Sequence, residues 1–205
     1  MGGSSSPCTL PDTRPRFEKA YYRCYINGGF LFKKYHLSGI LLMKAVDHGH
    51  RVVFTNEMGY VFFDFGWYSS WSTQAKNAVF DSFVVHSIMP RLNKSAVIKT
   101  FRKDIELAMG DVSNRERYSK GDTAYYKTAT QAGGPAWFIF SPSYELKRIE
   151  IANKHRPVTT IYKHQHSLRN ELRMFDTLSV VHHRAHFTIQ AYRFTPSSNP
   201  ETNDE

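Results

Sequence analysis

Between Tyr35 and Met109 the chain passes through three apolar, strand-length stretches and then one amphipathic helix, an order that leaves few ways to fold. The stretches are Leu37–Met43, Arg51–Asn56 and Tyr60–Phe65, cut by turn-forming residues at Asp47–His50 and Glu57–Gly59. From Leu37 to Val46 both alternating faces are apolar, with Leu37, Leu41 and Met43 on one and Ile40, Leu42 and Val46 on the other. A strand with one wet face alternates cleanly, so both faces of this sheet should be covered. The helix, over residues 92–109, sets Val97, Ile98, Phe101, Ile105, Ala108 and Met109 in one stripe. Lys99, Arg102, Lys103 and Glu106 form its polar side, Asn93 is the expected N-cap and Gly110 the residue that stops it. These features predict a mainly β (α+β) chain. Its core is a strongly curved antiparallel sheet, an incomplete β-barrel, with a helix covering the concave face.

The rest of the chain extends that picture. Residues 1–15 are rich in Pro and Ser and read as a flexible tether, whose opening Met-Gly-Gly-Ser-Ser-Ser has the composition of an expression leader. Phe17, Ala20, Tyr21 and Cys24 have helical spacing, which predicts a short helix over 16–25. Gly66–Trp71 reads as an aromatic, Ser-rich loop, Ala78–His86 as a strand and Asp111–Tyr118 as a polar loop. Further strands are expected at Thr123–Thr128, Ala136–Phe140, Leu146–Ile151 and Pro157–Lys163. A long last strand is expected over Leu178–Phe194, with odd positions facing in and even positions, His182 and His186 among them, facing out. Residues 16–194 form one domain in this reading, and the acidic tail 195–205 is disordered. A chain of 205 residues with 41% hydrophobic content is large enough to bury a core of this kind.

The net charge of +9 favours anionic partners such as nucleic acid or lipid headgroups. Of the two, nucleic acid is disfavoured, because most aromatics fall inside apolar strands where packing accounts for them. The loop residues Trp67, Tyr68 and Trp71 are the exception, and suit a membrane interface or a ligand entrance. Of the ten histidines, His164, His166, His182 and His186 could converge from neighbouring strands on a metal, although no acid or cysteine accompanies them. No nucleophile elbow or phosphate loop is present, and neither Cys8 nor Cys24 is placed like a catalytic thiol. Asp104 and Glu106 are two residues apart on the helix, so they diverge, cannot share a site and read as solvated charges. No enzyme activity and no cofactor is expected.

The strings Phe17–Tyr22, Leu37–Lys44, Arg51–Gly59, Phe63–Phe65 and Leu92–Asp104 resemble a family of uncharacterised Bacteroidetes-type lipoproteins. Those chains are similar in architecture to the LolA/LolB lipoprotein carriers, an incomplete barrel whose apolar hollow receives acyl chains. The resemblance implies a cell-envelope lipoprotein on the periplasmic side of the outer membrane. It would be anchored through Cys8 and bind a lipid or the acyl chain of a lipoprotein. Ile40, Leu42, Phe54, Phe63, Phe65, Val97, Phe101 and Ile105 are the expected lining of the hollow. The alternatives are a basic protein that binds polyanions through its surface, and a structural envelope protein whose hollow is plugged by its own helix.

Overall fold

The computed structural model describes residues 18–30, 33–68, 82–109, 113–129, 135–143, 145–153, 156–164, 175–184 and 186–196. The first strands are β1 (Lys19–Phe30), β2 (Lys33–Val46), β3 (Gly49–Thr55), β4 (Val61–Tyr68) and β5 (Ser82–Ile88). The helix α1 (Ser95–Ala108) follows, then β6 (Ser113–Lys120), β7 (Thr123–Ala129), β8 (Pro135–Phe140), β9 (Leu146–Asn153), β10 (Arg156–His164), β11 (Thr177–His182) and β12 (Phe187–Phe194). Among the described residues, all twelve strands join one sheet in the order β5-β4-β3-β2-β1-β12-β11-β10-β9-β8-β7-β6. Each pairing is antiparallel, as in the β1–β2 and β1–β12 pairs at the centre.

This order decides where the helix must go. The first five strands walk outward to one edge, the last seven walk back from the other, and α1 is the segment that joins the two edges. Phe101 of α1 touches Phe63 of β4 and Phe187 of β12, while Asp104 of the same helix reaches His182 of β11. In a flat sheet β4 and β11 would lie five strand spacings apart, about 24 Å, whereas a helix with its side chains is about 10 Å across. The sheet therefore curls around the helix, as the sequence predicts.

Local chemistry permits the curl. Register shifts interrupt the β3–β4, β4–β5 and β8–β9 ladders, and such bulges bend a strand and increase its twist. At Gly39, opposite Cys24, a Cβ would collide with the Thr55 carbonyl, so only glycine allows the β2–β3 approach there. The core lies on the concave side, built from Tyr22, Cys24, Leu41, Met43, Val52, Phe54 and Phe65 on one wing. Tyr126, Phe138, Phe140, Ile149 and Ile161 line the other.

Several expectations are corrected. The segment 16–25 is not a helix over its described part: Lys19–Phe30 is strand, with Ala20, Tyr22, Cys24 and Ile26 buried in strict alternation. The polar stretch Asp111–Tyr118 is not a loop over its described part, because Ser113–Lys120 is an edge strand. Leu178–Phe194 is two strands joined by a turn, and His186 has positive φ within it. The turn inverts the parity of β11, so Leu178, Val180 and His182 face inward. The helix starts one residue later than an Asn93 cap requires: Lys94 holds the N-cap position with extended backbone and gives no side-chain cap.

Candidate functional site

The site is the helix and the concave surface beneath it. Helix α1 is exposed or half-buried over its first turns, and buried from Phe101 onward except at Arg102 and Lys103. Its start lacks both a capping side chain and an acidic residue in the first turn, so little intrinsic stability resides there. Most of what holds the helix is tertiary, and it comes from its last two turns.

Phe101 lies at the middle of the contact. Its ring is 5.2 Å from Phe63 and 5.9 Å from Phe187, bridging the two wings. Phe63 stacks on Phe65 at 4.7 Å, and Phe65 and Trp67 both meet Phe83 of β5 edge-on. An aromatic floor thus runs along β4 under the helix.

Polar groups fasten the helix on both flanks. Toward β4, Glu106 accepts from Arg102 Nε at 2.6 Å and from Trp67 Nε1 at 3.4 Å, and the Arg102 guanidinium covers the Phe83 ring. Toward β11, Asp104 Oδ2 lies 2.8 Å from His182 Nε2, and His182 Nδ1 lies 3.0 Å from Thr159 Oγ1. The imidazole donates from Nε2 to Asp104, and its Nδ1 pairs with the Thr159 hydroxyl. Asp104 is 3% exposed, Thr159 4% and His182 8%, so three polar residues from three elements satisfy one another in the interior. Burial pushes the Asp104 carboxyl above its ordinary range, while the bond and charge of His182 pull it back. The order hydroxyl, imidazole, carboxylate is that of an activated nucleophile, but here the hydroxyl is enclosed. The arrangement serves as a clamp between helix and sheet.

At the helix end, Lys163 Nζ of β10 donates to the Ala108 carbonyl at 2.7 Å, filling one of the acceptors that a helix leaves open. Burial pulls its pKa down to about 8. A base whose folded pKa is lowered is protonated more readily in the unfolded chain, so its burden is full below about 8 and fades as pH rises toward the ordinary value of 10.5. In paired urea denaturations at pH 7 and pH 10, the stability of wild type relative to Lys163→Met should therefore increase with pH. Equal differences at both pH values would show that Lys163 does not carry this burden. Elsewhere on the concave side, burial lowers His50 to about 4 and raises the Cys24 thiol to about 12, so both are neutral near pH 7.

The expected lining residues divide into two groups. Phe54, Phe63, Phe65, Phe101 and Ile105 are buried in the core around the helix, with Val97 packed against it. Ile40 and Leu42 lie on the opposite, convex face, because Leu41 pairs with Phe54 while Leu42 pairs with Val53 and Ile40 with Thr55. The inward face of β2 is that of Leu41 and Met43. Trp67 and Tyr68 belong to β4 and not to a loop; Trp67 is 3% exposed and Tyr68 bonds His86 at 2.9 Å. Trp71, Cys8 and His166 lie outside the described residues. The remaining histidines of the suggested metal site do not converge: His182 faces Asp104, His164 is exposed at the far end of β10 and His186 sits in a turn. Among the described residues, no group of three or more His, Cys, Asp or Glu side chains could hold a metal. Asp104, Glu106, Thr159 and Lys163 were not singled out as site residues. A charge within the apolar stretch Ile105–Met109 was the available signal, and it applies to Glu106.

No family model matches the sequence, and no curated protein matches it. The structure is similar over 94% of this chain and 89% of the other to a domain from Vibrio parahaemolyticus named for outer membrane lipoprotein sorting, with 10% identity and a TM-score of 0.51. A LolA superfamily protein from Nitrosomonas europaea matches at 9% identity over 89% of this chain and 88% of that one, TM-score 0.48. A DUF1329 family protein from Desulfovibrio piger matches at 10% identity over 92% and 88%, TM-score 0.46. Likeness at such identity is one of fold. The chain shares the fold of that Vibrio domain: among the described residues, an open, curled antiparallel sheet around one helix. Among the described residues no helix is long and apolar enough to cross a membrane.

Proposed function

We propose that the protein is a non-enzymatic carrier of the cell envelope that holds a lipid or the acyl chain of a lipoprotein between α1 and the sheet. One observation carries the reading. The helix that joins the two sheet edges lies over an aromatic floor, and only its second half is buried there. Swinging that half outward would uncover Phe63, Phe65 and Phe101 for a chain, and each acyl CH₂ buried in exchange stabilises the complex by about 0.8 kcal/mol. The Trp67–Glu106 and Asp104–His182 contacts would close the cover again. In this reading the protein works at the periplasmic side of the outer membrane, with Cys8 as its lipid anchor.

Trp67, under the helix, provides the test. A phospholipid with brominated acyl chains should quench tryptophan emission on binding, and Trp67→Phe should remove most of that quenching. Native mass spectrometry of protein purified from membranes should show lipid retained. Protein that carries no lipid and shows no Trp67-dependent quenching would leave a structural envelope protein with its hollow filled by Phe101 and Ile105.

A further inference from the structure

The convex face of the three central strands has no covering element among the described residues, yet it is not built like an ordinary wet face. Opposite the core residues of β1 stand Tyr21, Arg23 and Tyr25, flanked by Leu42 and Ile40 of β2 and by Phe194 and Tyr192 of β12. Val53 of β3 extends the apolar row beyond Leu42. The charges are of one sign. Lys19 and Arg23 of β1 and Lys34 and Lys44 of β2 share this face by register, and strands β1, β2 and β12 contain no acidic residue. Lys19 is directly opposite Lys44, and Lys44 is directly opposite Arg51. Like charges placed opposite one another destabilise a sheet, so the row gains nothing from folding by itself. Asp64 reaches the same face from β4 but is held by Arg51, whose Nε donates to it at 2.8 Å.

The rings and cations are arranged in a way that separates two kinds of anionic partner. Tyr21 packs against Phe194 and Tyr25 against Tyr192, with Lys19 lying over the Tyr21 ring and Arg23 over the Phe194 ring. Bases of a nucleic acid stack on open ring faces, and here cations lie over those of Tyr21 and Phe194. A lipid surface asks for what is present: amphipathic rings, a few aliphatic side chains and cations that reach headgroup phosphates from apolar stems.

We propose that the convex face of β2, β1 and β12 is a docking surface for an anionic phospholipid membrane, separate from the hollow and independent of what the hollow carries. The full-length chain should co-sediment with phosphatidylcholine vesicles containing phosphatidylglycerol, and poorly with phosphatidylcholine alone. Arg23→Glu with Lys44→Glu should lower partitioning to the anionic vesicles at least tenfold, since each base near such a surface contributes roughly fivefold. Lys99→Glu with Lys120→Glu changes net charge equally from the helix and the β6 edge, and should lower it less than threefold. Circular dichroism checks that both exposed pairs fold, and acyl-chain quenching of Trp67 should be unaffected by Arg23→Glu with Lys44→Glu. Equal losses in the two pairs would mean diffuse attraction to net charge, and would overturn the proposal. So would failure of the wild type to bind anionic vesicles, as when another part of the chain covers the face. Retention of a DNA duplex through Arg23 and Lys44 without vesicle binding would also overturn it, in favour of nucleic acid.

Discussion

His182→Leu should destabilise the protein by about 3–5 kcal/mol, because it leaves the Asp104 carboxylate buried with its ion partner removed. Leucine fills much of the imidazole volume, so the loss is not mainly that of a cavity. Its signature is the pH profile. Asp104 has a folded pKa above its ordinary 3.8, and an acid of that kind binds its proton more tightly folded than unfolded. Stability assigned to such a group falls as pH rises from 3.8 through the folded pKa, and removing His182 takes away the groups that pull that pKa down. The deficit of His182→Leu should therefore be largest at neutral pH and shrink on acidification, as protonation relieves the stranded charge. Asp104→Leu should cost less in the His182→Leu background than in wild type, giving a coupling of about 1–3 kcal/mol in the double-mutant cycle. A deficit that is the same at pH 5 and pH 8, with purely additive double mutants, would mean that the pair is not the clamp described.

The sequence made the sheet and the helix legible and hid the clamp, and Asp104 and Glu106 show why. Their spacing correctly puts them on different sides of the helix, and from that they were expected to be solvated. A helix lying on a flat surface would expose at least one of them. A sheet curled around the helix receives both, Asp104 at β11 and Glu106 at β4. Curvature is a property of the whole sheet, so local spacing carries no record of it. The same gap explains β1, whose apolar residues fit a helical spacing by coincidence. Pairing to β2 on one side and β12 on the other selects the two-residue alternation instead. The polar β6 was read as loop because an edge strand, with one neighbour, needs charge to resist further pairing. In Leu178–Phe194 the alternation on each side of the turn is real, but the turn changes its phase and carries His182 from solvent to core.

Phe101→Ala should cost about 3–5 kcal/mol in chemical denaturation, the usual range for removing a buried phenyl ring. The position lies between Phe63 and Phe187 on opposite wings of a curled sheet, so the wall cannot easily collapse into the space. That is also the place where an acyl chain would lie under the proposed function, and the substitution can tell a movable cover from a permanent plug. If the helix is a cover, the void joins a surface already suited to hydrocarbon. A fatty acid or phospholipid should then raise the Tm of Phe101→Ala by more than it raises that of wild type, because a ligand bound only by the folded state stabilises it in proportion to its affinity. If the helix is a plug, the variant loses its 3–5 kcal/mol and acyl ligands restore none of it, since no path leads to the void without breaking the Trp67–Glu106 and Asp104–His182 contacts. A loss below about 1 kcal/mol would contradict both, because it would mean that the Phe101 ring is not packed against the two wings.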